Sequence, residues 1–287
     1  MNDPLHDSRI GRLIELALME DIGMGDTTSE ATIAEDQCTT CSVLCKQEGV
    51  IAGLEVAALV FQYCDHGITL SPRVPDGSVV TAGTITAAVD GNARALLRGE
   101  RTALNFLQRM SGIATETRHY VEAVRGTKTR ITDTRKTAPG LRVLDKWAVR
   151  LGGGENHRFG LDDMVLIKDN HIAAAGGITR ALHRCKEYLL KHEIALRIEV
   201  ETRTLEEVGE VLEVGGVDRI MLDNVALDTM RRAVELIAGR VEVEASGGIT
   251  LRNVRDVADT GVDLVSVGAL THSVRALDIS LEFPQTS

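Results

Sequence analysis

The 287-residue chain contains few aromatic residues, few prolines and no long apolar run. Aromatic residues make up 3% of the sequence and prolines number 5, whereas glycines number 27. This composition is typical of α/β proteins built from aliphatic strands and helices, and it argues against a secreted β-sandwich. Because no stretch approaches about 18 uninterrupted apolar residues, the sequence predicts no membrane-spanning helix.

Positive charge is also scarce. Lys and Arg total 32 against 42 Asp and Glu, so the formal net charge is −10. An acidic surface favours solubility and argues against binding to nucleic acid or to an anionic membrane. Basic residues that cluster within such a chain are therefore informative.

The cysteines are odd in number, and they predict no disulfide framework. Together with the absence of an apolar signal-peptide core in residues 1–10, the odd count predicts a reducing, cytoplasmic environment. Three of the five have a spacing that resembles a metal site, but no second Cys or His pair follows at zinc-finger spacing. We interpret these three as plain thiols on a strand: Cys38, Cys41 and Cys45.

The first part of the chain mixes helical and strand patterns. Apolar residues recur with a helical period over residues 8–23, 54–64 and 92–125. Short β-branched runs bounded by Gly, Pro and Asp predict strands between residues 38 and 90, and residues 26–33 are predicted to be a loop.

The rest of the chain alternates apolar runs with helical stretches. The last four runs recur roughly every 22 residues, which is about the length of one βα unit in a parallel barrel. The sequence therefore predicts parallel strands at residues 129–134, 164–168, 197–201, 219–223, 241–246 and 264–269.

Each predicted strand ends in polar or glycine residues. In a parallel α/β barrel these ends face the same mouth, so the six runs deliver their last residues to one place. Solvation explains one or two polar strand ends but not an ordered set, and we predict a shared active site. The set comprises Asp133, Thr134, Arg135 and Lys136; Lys168, Asp169 and Asn170; Glu201; Asp223 and Asn224; Ser246, Gly247 and Gly248; and Gly268.

The chemistry of this set favours a phosphorylated, anionic ligand. Four cations cluster in an acidic protein, and arginine forks bind carboxylate or phosphate with two hydrogen bonds. They are Arg135, Lys136, Arg158 and Lys168.

Two carboxylates, Glu201 and Asp223, end consecutive strands. Such a pair holds Mg²⁺, stabilises a developing cation or performs acid–base chemistry. Glu199 shares the face of Glu201, because side chains alternate with period two, and it either assists or forms a salt bridge in the barrel interior.

Glycines mark two further parts of the predicted site. "SGG" at 246–248 and "VGAL" at 267–270 match a barrel phosphate site, where main-chain N–H groups bind the anion. "GGGENHRFG" at 152–160 predicts a flexible loop that carries His157 and Arg158 over the mouth. A sugar diphosphate that reacts through an oxocarbenium ion fits these groups.

Several motifs resemble the quinolinate phosphoribosyltransferase family, also called carboxylating nicotinate-nucleotide pyrophosphorylases. The most specific are "TDTRKTAPGLR" and "AVRLGGGENHRFGLDDMVLIKDNHI". Others are "EDIGMGDTT", "ERTALNFLQRMSGIAT", "IMLDN", "EASGGI" and "VSVGALTHSVRALDISL". The resemblance extends over nearly the whole chain.

The resemblance implies a reaction and a fold. Quinolinate and phosphoribosyl pyrophosphate would give nicotinate mononucleotide, pyrophosphate and CO2, with Mg²⁺ as cofactor. The implied fold is an N-terminal α/β sandwich at residues 1–111 and an incomplete parallel, TIM-like α/β barrel at 112–274. We interpret a break in the helical pattern at Ser111-Gly112 as the hinge, and expect the tail 275–287 to pack back on the first domain.

The resemblance also implies roles for individual residues. The family forms homodimers in which an arginine completes the partner's site; here it is Arg101. The sequence leaves open whether the dimers assemble further into hexamers. The predicted catalytic residues are Lys136, Lys168, Glu201 and Asp223, of which the two acids bind Mg²⁺ directly or through water. The predicted substrate-binding residues add Thr134, Arg135, His157, Arg158, Ser246, Gly247, Gly248, Gly268, Ala269 and Leu270.

The sequence leaves three alternative functions open. A paralogous phosphoribosyltransferase with another acceptor would keep the same architecture. A class I aldolase would use Lys168 as a Schiff base, but the charged neighbours of that lysine do not form the apolar pocket it needs. A non-catalytic phosphosugar-binding module would not need the acidic pair.

Overall fold

The structure is a computed structural model that describes Leu5 and residues 7–284. The described chain forms two compact units. The first contains residues up to Arg118, then 137–153, then residues from Leu270 onward; the second contains 119–136 and 154–269. Within the described residues, no helix is long and apolar enough to cross a membrane.

Helices and strands alternate along the chain. The helices are α1 (Ser8–Ile22), α2 (Thr27–Thr32), α3 (Leu54–Cys64), α4 (Ala93–Ala123), α5 (Arg142–Leu151), α6 (Asp169–Ala175), α7 (Ile178–Lys191), α8 (Leu205–Val214), α9 (Leu227–Ile237), α10 (Val254–Ala258) and α11 (Ala269–His272). The strands are β1 (Cys38–Cys45), β2 (Gly49–Val50), β3 (Thr69–Pro72), β4 (Val79–Val80), β5 (Ile85–Asn92), β6 (Arg130–Thr132), β7 (Val165–Ile167), β8 (Ile198–Thr202), β9 (Arg219–Asp223), β10 (Glu242–Ser246), β11 (Leu264–Ser266) and β12 (Ile279–Glu282).

The first unit is built on an antiparallel sheet with strand order β12-β1-β5-β3. In β1 the side chains of Cys41, Val43 and Cys45 are buried, whereas Cys38 is exposed, as the two-residue strand period requires. The prediction that these cysteines lie on a strand is confirmed. From the C-terminal segment, β12 pairs antiparallel with β1; the last three residues of the predicted tail lie outside the described residues.

Two predictions about the first unit are wrong. Residues 26–33 were expected to form a loop, but most of them form α2, because the Asp26 carboxylate accepts a hydrogen bond from the Ser29 N–H (3.1 Å) and caps the helix. The helix α4 also passes through Ser111 and Gly112 without a break.

Packing explains why those two residues are small. The Ser111 hydroxyl is buried and exchanges hydrogen bonds with the main chain of Ala52 (3.0 and 3.2 Å). A Cβ at Gly112 would lie 2.2 Å from the Arg275 carbonyl oxygen. The pattern that suggested a hinge is therefore a site of close contact. The first compact unit extends to Arg118 and also includes residues 137–153 and those from Leu270 onward. The predicted domain boundary between residues 111 and 112 stays a prediction.

The second unit contains a six-stranded parallel sheet with strand order β6-β11-β10-β9-β8-β7. All six runs predicted as strands are strands, and the predicted mixed α/β fold is confirmed. In β8 all five residues are buried, as expected for a strand covered on both faces.

The parallel sheet is open and curved. The strands β6 and β7 form its two edges. His157 contacts both Glu199 on β8 and Glu244 on β10, although β9 lies between those strands. Strands two positions apart are separated by about 10 Å, so both side chains reach one imidazole only if the sheet curls around it. These residues therefore lie on the concave side.

Candidate active site

The carboxyl ends of the parallel strands bring most of the predicted site residues to one edge of the second unit. Asp223 on β9 is the register partner of Ser246 on β10, and the Asn224 N–H donates to the Ser246 carbonyl (2.9 Å). At the end of β8, Thr202 pairs with Leu222 of β9. Two predicted residues, Arg101 and Leu270, belong to the first unit, where Arg101 is exposed on α4 and Leu270 is buried.

Acidic and basic side chains alternate at the ends of β7, β8 and β9. The Glu201 side chain is 6% exposed, and its Oε2 lies 3.4 Å from the Lys168 Nζ. The Arg203 Nη2 lies 3.5 Å from Glu201 Oε1 and 3.8 Å from Asp223 Oδ2. The same nitrogen donates to Asp169 Oδ2 (2.8 Å). Glu201 and Asp223 thus face one shared cation.

Sequence reasoning missed Arg203. It ended the strand at Glu201, whereas β8 continues to Thr202 and places Arg203 directly at the strand end. The sequence contained the signal for it. After the first parallel strand, the predicted set included the residues beyond the strand end, 133–136, but at β8 it stopped at Glu201. Applying the same rule to β8 would have found this arginine.

The acidic pair fits a magnesium ion. Both carboxylates already converge on a single positive group, and carboxylate oxygens are the ligands that Mg²⁺ prefers while it keeps several waters. Glu201 and Asp223 would hold the ion, and Arg203 would have to give up its place between them.

A cationic group lies at the end of β6 and in the loop after Gly154. The Nε of Arg135 is buried and has no hydrogen-bond partner among the described residues. The pKa of Arg158 is lowered below its usual value, first by burial and then by the positive charge of Arg135, against the weaker attraction of Glu199 and Asp163. Two guanidinium groups that repel each other in a half-buried place favour binding of an anion.

The loop that carries Arg158 is anchored. The buried Asp133 carboxylate accepts from the His157 N–H (2.9 Å) and from the Asn156 side-chain amide (2.7 Å). Glu155 extends the sheet beside β6, since its N–H donates to the Ile131 carbonyl (2.8 Å). The sequence predicted a flexible loop here, but these bonds fix residues 155–157.

His157 lies beneath the cationic group with its side chain 6% exposed. Its Nε2 is 3.0 Å from Glu199 Oε2 and 3.3 Å from Glu244 Oε2, and Arg219 Nη1 is 2.9 Å from Glu244. Burial lowers the pKa of His157, but the two glutamates outweigh it and favour a proton on Nε2, which faces them. On Nδ1 the ring accepts a hydrogen bond from the Arg158 N–H (2.8 Å), which opposes a second proton there, so the ring is neutral and carries its proton on Nε2.

Glu199 therefore does not join the acidic pair of Glu201. It is 0% exposed, contacts His157 and lies 3.8 Å from the Arg219 Nη1, which answers the choice that the sequence left open in favour of a salt bridge in the interior. Burial raises the pKa of the Glu199 carboxyl, and the neighbouring Glu244 adds to the rise. Burial acts the same way on Glu244, but His157 and Arg219 outweigh it and lower its pKa.

The turn after β10 requires glycine. Gly247 has a φ of +91°, and a Cβ at this position would lie 2.3 Å from the Asn224 side-chain oxygen. The Asn253 side chain donates to the Gly248 carbonyl (3.0 Å) and accepts from the Thr250 N–H (2.8 Å), which holds the turn. The neighbouring strand β11 is followed by half-buried Gly268 and Ala269.

Family comparison agrees with this arrangement. Residues 26–111 match the family model of the quinolinate phosphoribosyl transferase N-terminal domain, and residues 113–282 match that of the C-terminal domain. The chain belongs to the quinolinate phosphoribosyltransferase family.

Relatives within this family are similar over nearly their full length. The chain is 47% identical to quinolinate phosphoribosyltransferase [decarboxylating] 2, mitochondrial, of Nicotiana glauca, over 97% of this chain and 83% of that protein. It is 43% identical to a probable nicotinate-nucleotide pyrophosphorylase [carboxylating] of Bacillus subtilis, over 96% and 93%. The crystal structure of NadC from Streptococcus pyogenes superposes with a TM-score of 0.91 at 39% identity, covering 96% of this chain and 98% of that one.

Proposed function

We propose that this protein transfers the phosphoribosyl group from phosphoribosyl pyrophosphate to quinolinate and releases CO2. The products are nicotinate mononucleotide and pyrophosphate, a step of NAD biosynthesis. The observation that carries this proposal is the half-buried pair Arg135 and Arg158, whose guanidinium groups repel each other and suit an acceptor with two carboxylates. The names of the relatives support the same acceptor.

The acidic pair suits the sugar side of the reaction. Departure of pyrophosphate leaves positive charge on the ribosyl ring, and Glu201 and Asp223 face a position that a cation occupies. Preorganised carboxylates stabilise such a developing charge without reorganising. Bound Mg²⁺ would neutralise charge on the leaving pyrophosphate.

The acceptor side depends on the cations. The pyridine nitrogen of quinolinate attacks C1 of the ribose, and the C1–O bond to pyrophosphate breaks. The resulting pyridinium nitrogen withdraws electrons, so the bond to the C2 carboxylate breaks, CO2 leaves and C2 takes up a proton. We propose that Arg135, Arg158, Lys136 and Lys168 hold the C3 carboxylate and nearby phosphates, leaving the C2 carboxylate less well solvated.

Three remaining assignments are part of the proposal. The turn at Ser246–Gly248 and the residues Gly268–Leu270 bind phosphate. Two copies form a homodimer in which exposed Arg101 completes the partner's site. Activity restored on mixing the inactive variants Arg101→Ala and Lys168→Ala would support a shared site, and no restoration would count against it.

The cytoplasmic location is supported by five free thiols, although plant relatives carry organelle names.

A product assay on the purified protein tests the function. We expect nicotinate mononucleotide and CO2 from phosphoribosyl pyrophosphate, Mg²⁺ and quinolinate, and no nucleotide when nicotinate replaces quinolinate. The variant Arg158→Ala is the matched control and should raise the KM for quinolinate strongly. Nucleotide from nicotinate alone, or from neither acceptor, would assign the protein to a paralogue that uses another acceptor.

A further inference from the structure

The two nitrogens of the His157 ring have different partners. The Nε2 contacts two glutamates on strands of the sheet, and the Nδ1 accepts the main-chain N–H of Arg158. Because the position of a main-chain hydrogen is fixed by the backbone, Nδ1 must carry the lone pair and Nε2 the proton.

This arrangement excludes two simple roles for the ring. The ligand atoms of His157, Glu199 and Glu244 lie within 4.8 Å of one another, a spacing that would suit a metal ion. A protonated Nε2 has no lone pair to give to a metal, and the Arg219 guanidinium already lies 2.9 Å from Glu244. With the side chain 6% exposed and both nitrogens engaged, the ring is also poorly placed to bind an acceptor carboxylate.

Arg158 is attached to this cluster through its main chain and, through its side chain, to the residue that precedes β7. Its N–H donates to the imidazole, and its Nη1 donates to the Met164 carbonyl (3.0 Å). The direction of the guanidinium therefore depends on two fixed points. One of them is the His157 ring, which Glu199 and Glu244 hold from the concave side of the sheet.

We propose that His157 is a positioning residue for acceptor binding: it transmits the geometry of Glu199 and Glu244 to Arg158 and does not touch the acceptor. The proposal rests on the proposed function for the identity of the acceptor. It differs from the role that family resemblance implies, in which this histidine lies among the residues that bind the carboxylates.

Two substitutions separate the functions of the two ring nitrogens. His157→Asn places an amide oxygen near the position of Nδ1, so it can still accept the Arg158 N–H, but it is too short to reach the glutamates. His157→Gln places an amide nitrogen near Nε2, so it can still donate to the glutamates, but it offers no acceptor to Arg158. His157→Ala removes both.

We expect the KM for quinolinate to rise at least tenfold in His157→Gln and His157→Ala but less than threefold in His157→Asn. The KM for phosphoribosyl pyrophosphate should be unchanged in all three variants. Equal losses of quinolinate affinity in the Asn and Gln variants would overturn the proposal, because a residue that binds the acceptor directly would lose its imidazole ring in both.

A measurement on the wild-type protein covers the case in which a variant fails to fold. In ¹⁵N-histidine-labelled protein, the ring of His157, assigned by its loss in a folded variant or by its slow exchange, should be protonated on Nε2. Saturation with quinolinate should leave both of its ¹⁵N shifts in place. Protonation on Nδ1, or a large shift on adding quinolinate, would contradict the proposal. If the wild type does not turn over quinolinate, the proposed function fails, while the tautomer still tests this inference without substrate.

Discussion

Arginine side chains at the two ends of the parallel sheet have different surroundings. At the amino end, Glu242 of β10 contacts three arginines: Arg130 (2.7 Å), Arg219 (3.1 Å) and Arg197. At the carboxyl end, the buried Nε of Arg135 has no hydrogen-bond partner in the part of the chain that the structure describes, and Arg158 is repelled by Arg135. The arginines at the amino end bind a carboxylate of the protein itself, whereas those at the carboxyl end are placed to bind an anionic ligand.

The difference separates charges that stabilise the fold from charges that serve the site. A carboxylate surrounded by arginines stabilises the folded chain, whereas two adjacent guanidiniums destabilise it until an anion binds. The type of charge alone would not distinguish the two groups. Their partners in the folded protein do.

The largest expected effect comes from the same substitution made at both ends. Arg219→Met should lower the free energy of unfolding by about 3–5 kcal/mol, because it leaves buried Glu199 and Glu244 without their cation. Arg135→Met should change it by less than about 1 kcal/mol, since no partner of its Nε is lost, but should abolish quinolinate binding. Urea unfolding and calorimetric titration measure the two quantities, and equal destabilisation at both positions would remove the contrast.

A smaller effect is expected at Glu242 and depends on pH. Burial would raise the pKa of Glu242, but its hydrogen bonds to Arg197, Arg130 and Arg219 outweigh it and lower the pKa from 4.5 to about 2. Since the folded-state pKa is depressed, the stabilisation is complete above pH 4.5 and is lost as the pH falls through 2. Glu242→Gln should therefore cost roughly 1–2 kcal/mol at neutral pH, after allowance for partial exposure, and much less near pH 2.

The control for Glu242 is an exposed partner of the same arginine. Glu155 lies 3.0 Å from Arg130, and both side chains are more than 40% exposed. Glu155→Gln should change the free energy of unfolding by less than about 1 kcal/mol at any pH. Unfolding curves at pH 7 and pH 3 measure the loss of stability in both variants. A loss in Glu242→Gln that does not depend on pH would contradict the depressed pKa of Glu242.

The smallest expected effect concerns Arg203. Its guanidinium lies between Glu201 and Asp223 and competes with a divalent cation for them. Arg203→Gln should raise the affinity for Mn²⁺ about two- to fivefold, as expected for loss of an exposed ion pair. Electron paramagnetic resonance of free Mn²⁺ measures this. Arg231→Gln, which removes a surface pair with Asp228 on α9, should have no effect; unchanged Mn²⁺ affinity in the Arg203 variant would show that the arginine does not occupy the metal position.

The strands of the second unit could be predicted from the sequence because each is a short aliphatic run with a polar end. The rule that parallel strands end at one mouth then grouped Lys168, Glu201, Asp223 and Ser246, and the register of β9 and β10 places Asp223 beside Ser246. Local pattern and one topological rule were enough for this part of the site.

The interior cluster could not be predicted in the same way. His157, Glu199 and Glu244 lie far apart in sequence, and only the curvature of the sheet brings their side chains together. Strand periodicity placed Glu199 and Glu201 on one face of the sheet, but it did not indicate that Glu199 lies in the interior while Glu201 lies at the carboxyl end of the strand. The helix break expected at Ser111 is absent for a related reason: a small residue indicates close packing as readily as a break, and only the contact with Ala52 distinguishes the two cases.

The order of strands in both sheets has a consequence for how the chain folds. In the second unit β6 is the first strand to be synthesised, yet its neighbour in the sheet is β11, the last, with Arg130 opposite Leu264. In the first unit β1 likewise receives β12 from the end of the chain. Contacts of such long sequence separation form slowly, and unpaired strand edges are prone to aggregate. A nascent or truncated chain that ends before Leu264 would therefore expose one edge of each sheet, and the final residues complete both.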